Sequence, residues 1–236
     1  MAEIKPNYDT KRKKLSEIIP LAHPFTVYIE QTKYCNFKCF YCIHSTRDEA
    51  DGEFRALGHR MQHMDFEFYK KIIKELQEFP RGGIKRIVFS GLGEPLMNPR
   101  LPELVRMAVD AKIADRVEII TNGLLLTPEK SSALVAAGIT NINISVQGLD
   151  SEGYQETCGI PIDFDAYLEN LKYLYEHKGS VQIYIKAIDA TLKTKENEEK
   201  FFQIFGPYAD RIYIEHLIVM QQQMDGLREI VDGTKN

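Results

Sequence analysis

Short apolar runs alternate with longer amphipathic stretches along most of this chain. From Phe25 onward, the short runs have the length and β-branched content of strands, and the stretches between them repeat their apolar positions with the period of a helix. The pattern predicts strands at Phe25 to Gln31, Lys85 to Ser90, Arg116 to Thr121, Thr140 to Val146, Val181 to Ile188 and Arg211 to Ile218.

Amphipathic helices are predicted between these strands, and capping residues support several of their ends. Asp65 precedes the first helix, and Thr127 precedes a helix that begins with proline. Gly138 and Gly179 follow the ends of two others. The predicted helices are Phe66 to Phe79, Leu101 to Lys112, Pro128 to Ala137, Phe164 to His177 and Glu196 to Phe205.

The alternation of strands and helices indicates the fold class. Such chains form parallel sheets joined by right-handed crossovers, either as a doubly wound sheet or as a (β/α) barrel. The predicted strands are fewer than the eight of a complete barrel. We therefore predict an α/β fold, a partial, open (β/α)6 TIM-like barrel. In this architecture, functional groups collect where strands end and the following loops begin.

Composition and charge are those of an ordinary globular domain. The chain has 236 residues, 44% hydrophobic and 27% charged, and its interspersed charges sum to -4, which gives no basic surface for nucleic acid. The charged N-terminus has no secretory core, and no run approaches the ~18 apolar residues of a membrane span. We expect a cytoplasmic protein, whose cysteines in a reducing compartment are ligands, nucleophiles or core residues rather than disulfides.

The most unusual segment is CNFKCFYC, directly after the first strand. Its spacing is C-x3-C-x2-C, so three thiolates face one point only if the loop wraps around something. Chance clustering of small apolar residues is one reading, which the polar Asn36 and Lys38 between the cysteines disfavour. A structural zinc site is the second, with a fourth ligand from His44, His59 or His63. A [4Fe–4S] cluster with one iron left open is the third. The three candidate ligands are Cys35, Cys39 and Cys42.

This motif, with the aromatic Tyr41 before the third cysteine, resembles the signature of radical SAM enzymes. The resemblance implies that the cysteines bind three irons of a [4Fe–4S] cluster, that S-adenosylmethionine (SAM) chelates the fourth, and that Tyr41 lies against the adenine. In that family, a one-electron donor such as flavodoxin or ferredoxin reduces the cluster, and SAM is cleaved to methionine and a 5′-deoxyadenosyl radical that abstracts hydrogen from the substrate. No catalytic protein nucleophile is then required.

The second strand ends in SGLGEP, residues 90–95. Glycines allow close approach of the backbone, and one carboxylate beside exposed backbone groups can hold an ammonium. The segment resembles the GGEP element of the same family, which binds the methionyl amino group of SAM. Gly93 and Glu94 match that element, whereas Gly91 is displaced by one position.

The next two strand ends carry further polar residues. The third strand ends in TNG, residues 121–123, which matches many family members and is also a common turn. Alternation along the fourth strand places Asn143, Ser145 and Gln147 on one face, where a polar ligand would satisfy them. The resemblance implies that Ser145, or as second choice Gln147, binds the ribose of SAM.

Lys186 and Cys158 are the remaining candidates. Lys186 lies inside the fifth strand, where a lysine needs a partner: the SAM carboxylate, the substrate, or a salt bridge to Glu30 or Glu215. Cys158 stands alone, and packing or a catalytic thiol are its alternatives.

The resemblance covers residues 25–219, expected to form the radical SAM core after a polar lead-in at 1–24. Residues 220–236 are interpreted as a tail or the start of a missing domain. The core looks most like SPASM or twitch-type members, which modify peptides, sugars or other small molecules. We expect that their C-terminal auxiliary-cluster domain is absent here, so that the chain is either a minimal enzyme or the catalytic part of a longer protein. The alternative is a non-catalytic module that holds zinc or an electron-transfer cluster.

Overall fold

The computed structural model describes residues 2–7, 14–80 and 83–217. Strands and helices alternate through this part of the chain. The strands are β1 (Glu3–Ile4), β2 (Thr26–Ile29), β3 (Ile84–Phe89), β4 (Ala114–Thr121), β5 (Asn141–Ser145), β6 (Gln182–Ile188) and β7 (Arg211–Glu215). The α-helices are α1 (Glu53–Ala56), α2 (Phe66–Leu76), α3 (Leu101–Asp110), α4 (Pro128–Ala136), α5 (Ser151–Cys158), α6 (Phe164–His177), α7 (Asp189–Leu192) and α8 (Lys195–Phe205).

These strands form one parallel sheet in the order β1-β7-β6-β5-β4-β3-β2. The sheet does not close, because β1 and β2 lie at its opposite edges. The six predicted strands correspond to β2 through β7. The prediction of an α/β, partial, open TIM-like barrel is confirmed.

Strand β1 was not predicted. It lies within the segment interpreted as a polar lead-in, and it pairs in parallel with β7 through Glu3 with Arg211 and Ile4 with Ile212. Two residues are too few to display an alternating pattern, so this edge strand has no signal in the sequence. The predicted end of the last strand at Ile218 and the segment 220–236 lie outside the described residues.

Helix ends agree with the capping signals. The side chains of Asp65 and Thr127 accept hydrogen bonds from the first turns of α2 and α4. Helix α5 was missed, although Asp150 caps its start and Gly159, at φ 73°, follows its end. Its segment SEGYQETC has few apolar positions and shows little helical period. Cys158 therefore lies at the end of a helix that the sequence pattern did not predict.

The two faces of the sheet differ in polarity. One face packs against the helices and forms the apolar core, which includes the buried side chains of Ile87, Phe89, Ile119, Ile142, Ile144 and Ile185. The alternate residues point to the opposite face, where several are polar. In the described part of the chain, no helix has the length and apolarity needed to cross a membrane.

Candidate active site

The cysteine loop follows β2 and is stabilised by hydrogen bonds from Arg47, which ends the next short helix. After a 3-10 helix at Ile43–Thr46, the Arg47 guanidinium turns back to the loop. Its Nη1 donates to the carbonyl oxygens of Cys35 at 2.8 Å and Phe37 at 2.7 Å. Hydrogen bonds from a charged donor are stronger than neutral ones, so Arg47 fixes the first half of the loop.

The second half of the loop lies against the end of α5. The backbone N–H of Lys38 donates to the carbonyl oxygen of Cys158, and that of Phe40 donates to the carbonyl oxygen of Thr157, both at 3.0 Å. These bonds flank Cys39 on both sides. The Sγ atoms of Cys39 and Cys158 lie 3.7 Å apart as a result.

The four cysteine thiols are free of disulfides. Burial raises the pKa of Cys35 to about 12 and also raises that of Cys42. The pKa of Cys39 is lowered, chiefly by the hydrogen bond with Cys158. Burial therefore favours the neutral thiol form of the outer two cysteines, whereas metal binding would require their thiolates.

The Gly93–Glu94 turn packs directly on the entrance to the cysteine loop. A Cβ on Gly93 would lie 2.2 Å from the carbonyl oxygen of Thr32 and 2.9 Å from that of Tyr34. The N–H of Glu94 donates to the same Tyr34 oxygen at 2.8 Å. Glycine is required here because another stretch of backbone approaches, whereas the sequence argument attributed the close approach to a ligand.

The Glu94 carboxylate is buried and joins the ends of two strands. Its Oε1 accepts hydrogen bonds from the Thr121 hydroxyl at 2.6 Å and the Leu96 N–H at 3.0 Å. Its Oε2 accepts from the Asn122 N–H at 2.7 Å. Burial raises its pKa, although these three donors oppose that effect. Both oxygens already bind protein donors, and a carboxylate has room for a further donor.

The TNG turn connects this region back to the cysteines. The Asn122 side chain donates from Nδ2 to Oδ1 of Asn36, within the cysteine loop, at 2.8 Å. The Nδ2 of Asn36 is buried and has no hydrogen-bond partner. Buried donors nearly always have a hydrogen-bond partner, so this unpaired donor within the loop favours a bound group there.

On the other side of the loop, Tyr41, Ser145, Gln147 and Lys186 surround one cavity of about 130 Å³ at the ends of β5 and β6. The Tyr41 hydroxyl donates to Oε1 of Gln147, and Nε2 of Gln147 donates to the Ser145 carbonyl oxygen at 3.1 Å. The structure thus brings together four of the six residues predicted to bind SAM. Gly93 and Glu94 lie at the β3 end of the loop.

Lys186 has the salt-bridge partner that the sequence suggested. Its Nζ lies 2.6 Å from Oε2 of Glu215 on the neighbouring strand. Glu30, the other candidate, accepts a hydrogen bond from the Leu92 N–H at 2.6 Å and lies 3.6 Å from the Lys33 ammonium.

Lys186 also lines a second cavity of about 160 Å³ on the polar face of the sheet. Glu118 is 1% exposed there, and its carboxylate binds the Asn143 amide at 3.2 Å and the Arg116 guanidinium at 3.3 Å. Further residues that line this cavity are Tyr28, Arg86, Tyr184 and Glu215.

Two of the histidines considered as zinc ligands, His44 and His59, lie against the same Phe54 ring, and the third, His63, lies elsewhere. His44 is buried against Phe54, with ring centroids 4.9 Å apart. His59 contacts Lys33, and His63 contacts Thr32, each at 2.8 Å. Within the described ranges, no group of three or more His, Cys, Asp or Glu side chains is positioned to hold a single metal ion. A cubane cluster needs a different arrangement because each cysteine binds its own iron.

Sequence reasoning missed several residues that shape this site, because their contacts are distant along the chain. Thr121 and Asn122 belong to a motif that was noticed, but their bonds to Glu94 were not foreseen. For Arg47 the sequence offers no local signal. Cys158 was noticed only as a lone cysteine.

Known proteins with similar sequences cover most of the described residues. A sequence profile described as "Radical SAM superfamily" matches residues 29–205. A "Probable GTP 3′,8-cyclase" of Methanococcus maripaludis is 36% identical over 125 residues, which cover 53% of this chain and 37% of that protein. An "AdoMet-dependent heme synthase" of Nitratidesulfovibrio vulgaris is 30% identical over 177 residues, 75% of this chain and 42% of that protein.

A similar fold occurs in a solved structure, Streptococcus suis SuiB bound to S-adenosylmethionine. Its TM-score is 0.63 at 19% identity, over 91% of this chain and 44% of that one. At this identity the likeness concerns the fold alone. The chain spans less than half the length of each of these three proteins.

Proposed function

This chain belongs to the radical SAM superfamily, and from that premise we propose that it is an enzyme that uses a [4Fe–4S] cluster to cleave SAM and abstract hydrogen from a polar substrate. The observation that carries the proposal is the braced loop of three free cysteines at the carboxyl edge of the sheet. When bound, the cluster supplies the electron that cleaves SAM to methionine and a 5′-deoxyadenosyl radical. A flavodoxin or ferredoxin is the proposed source of that electron.

The residues around the loop have separate roles in this proposal. Cys35, Cys39 and Cys42 hold the cluster, and Tyr41, Ser145 and Gln147 bind the adenosine part of SAM in their shared cavity. Gly93 and Glu94 are proposed to bind the methionyl ammonium, with Glu94 sharing its carboxylate between this ligand and its protein donors. Lys186, held by Glu215, contacts the ligand from the floor of the cavity.

The proposed substrate is a peptide or a sugar-like small molecule. This choice rests on the cavity beside the SAM residues, which is lined by the charged side chains Arg86, Glu118, Lys186 and Glu215. A purely apolar substrate would displace water from these partly paired groups and offer no polar partner in exchange, whereas hydroxyl, amide and amino groups would offer one.

One experiment tests the proposal directly. Anaerobically reconstituted protein is analysed for iron, labile sulfide and zinc, and is then incubated with SAM and dithionite before an assay for 5′-deoxyadenosine. We expect about four irons and four sulfides per chain and formation of the nucleoside. The matched control replaces the three loop cysteines by alanine, which removes both signals.

A non-catalytic metal-binding module is the competing proposal. Stoichiometric zinc without labile sulfide, or a cluster that never cleaves SAM, would favour it and contradict ours. The cavity shared by Tyr41, Ser145 and Gln147 supports the enzyme, because a closed structural metal site needs no neighbouring ligand pocket.

A further inference from the structure

Cys158 is the one cysteine outside the loop motif, and it is fully buried, at 0% exposure. Its Sγ lies 3.7 Å from the Sγ of Cys39, which is within hydrogen-bonding distance for sulfur. The proposed function assigns iron to Cys39 and nothing to Cys158. The close approach of these two sulfurs therefore needs its own explanation.

The backbone holds this contact in place from both sides. The N–H groups of Lys38 and Phe40, which flank Cys39, bind the carbonyl oxygens of Cys158 and Thr157 at 3.0 Å. Helix α5 ends immediately afterwards at Gly159, with φ 73°. Because the loop and the helix end are joined on both sides of Cys39, the backbones of Cys39 and Cys158 stay close together, and only a side-chain rotation would separate the two sulfurs.

The chemistry of the pair fixes the direction of the hydrogen bond. A cysteine that binds iron is a thiolate and has no proton to donate. Cys158 binds no iron in the proposed function, so its S–H is the only donor in the pair. The Cys39 sulfur is the only acceptor that this S–H contacts among the described residues.

We propose that Cys158 is a positioning residue whose S–H donates a hydrogen bond to the cluster-bound sulfur of Cys39 and raises the reduction potential of the cluster. This inference rests on the proposed function. A hydrogen bond to a ligand sulfur withdraws electron density and stabilises the reduced, more negative cluster. The same bond orients Cys39 within the loop.

The test is the midpoint potential of the reconstituted cluster, followed by electron paramagnetic resonance in the absence of SAM. Cys158→Ala removes the donor and Cys158→Val replaces it with a slightly larger apolar group, so both should shift the potential to more negative values. Cys158→Ser keeps a hydrogen-bond donor, so its midpoint potential should stay close to that of the wild type. Gln155→Ala, at an exposed position of the same helix, is the control, with the wild-type potential expected.

A second measurement needs no alanine variant. Exchange into deuterium oxide replaces the S–H proton by deuterium and should shift the Fe–S stretching bands of the wild-type cluster in resonance Raman spectra. The Cys158→Val protein should lack that part of the shift. This readout keeps the inference testable even where Cys158→Ala folds poorly.

The results that would contradict the role proposed for Cys158 can be told apart from those that would contradict the proposed function. Equal potentials in the wild type and all Cys158 variants would mean that Cys158 only packs, and would overturn the inference. Loss of the cluster in all three variants would make Cys158 a ligand, which also overturns it. If the wild-type chain assembles no cluster, the proposed function itself fails, and this outcome is recognised before any variant is measured.

Discussion

Replacement of Glu94 by glutamine tests the buried connection between the ends of β3 and β4. The amide oxygen of glutamine can occupy the Oε1 position and keep the hydrogen bonds from Thr121 and Leu96. The amide NH2 then takes the Oε2 position and faces the Asn122 N–H. In the wild-type protein this N–H donates to Oε2 of Glu94 at 2.7 Å. One hydrogen bond is lost and a buried donor is left unpaired, so we expect the free energy of unfolding to fall by about 1–3 kcal/mol.

Anaerobic urea titration of the cluster-free protein, followed by circular dichroism, measures this loss. In a chain of this length, each kcal/mol corresponds to roughly 2–4 °C in melting temperature. The control is Glu103→Gln, which removes an exposed carboxylate 2.8 Å from Arg100 and should change stability little. Wild-type stability in Glu94→Gln would refute the hydrogen-bond network of the Glu94 carboxylate.

The same variant distinguishes a structural role of Glu94 from a role in SAM binding. If Glu94 also accepts a hydrogen bond from the SAM ammonium, the affinity for SAM per folded, reconstituted molecule should fall by about one to two decades, because charge-assisted bonds contribute roughly 1.5–3 kcal/mol. Unchanged affinity together with lowered stability would mean that Glu94 only braces the turn.

Further predictions concern the cysteine loop and its supports. Alanine at any one of the three ligand positions should abolish labile sulfide and 5′-deoxyadenosine formation together, and retention of the cluster would contradict the assignment of Cys35, Cys39 and Cys42. Gly93→Ala places a Cβ 2.2 Å from the Thr32 carbonyl oxygen and should lower stability by about 1–3 kcal/mol, whereas Gly206→Ala, with no atom within 4 Å of its Cβ, should not. Arg47→Met removes the guanidinium from two loop carbonyls, so cluster-free protein should lose about 1.5–3 kcal/mol and become more sensitive to limited proteolysis in the loop. An unchanged cleavage pattern would show that Arg47 does not hold the loop.

The fold was predictable because its signals are local. Each of the strands β2 to β7 is long enough to show an apolar run, and the caps at Asp65 and Thr127 mark helix starts within a few residues. The failures have equally local reasons. β1 is two residues long, and α5 has a largely polar sequence, so neither produces a periodic pattern.

The candidate site was only partly predictable, because its contacts join distant segments. The sequence identified Glu94 and the TNG turn separately, but 27 positions separate Glu94 from Thr121, and no local pattern reports their hydrogen bond. The contact between Cys39 and Cys158 spans 119 positions. Glu94 and Thr121 become neighbours because parallel strands bring their ends to the same edge of the sheet, whereas Cys158 reaches Cys39 at the end of helix α5.

The hydrogen bonds that hold the cysteine loop also affect cluster binding. The cysteine loop is held by Arg47 from its own C-terminal side, by Asn122 from the end of β4 and by Thr157 from the end of α5. All of these bonds form within the polypeptide, and two of them require the folded sheet. A loop ordered in advance loses less conformational entropy when a ligand binds, so the tertiary fold itself contributes to cluster affinity. For the same reason, cluster binding and folding are thermodynamically coupled: the cluster stabilises the folded chain to the extent that the unfolded chain cannot present three cysteines in this arrangement.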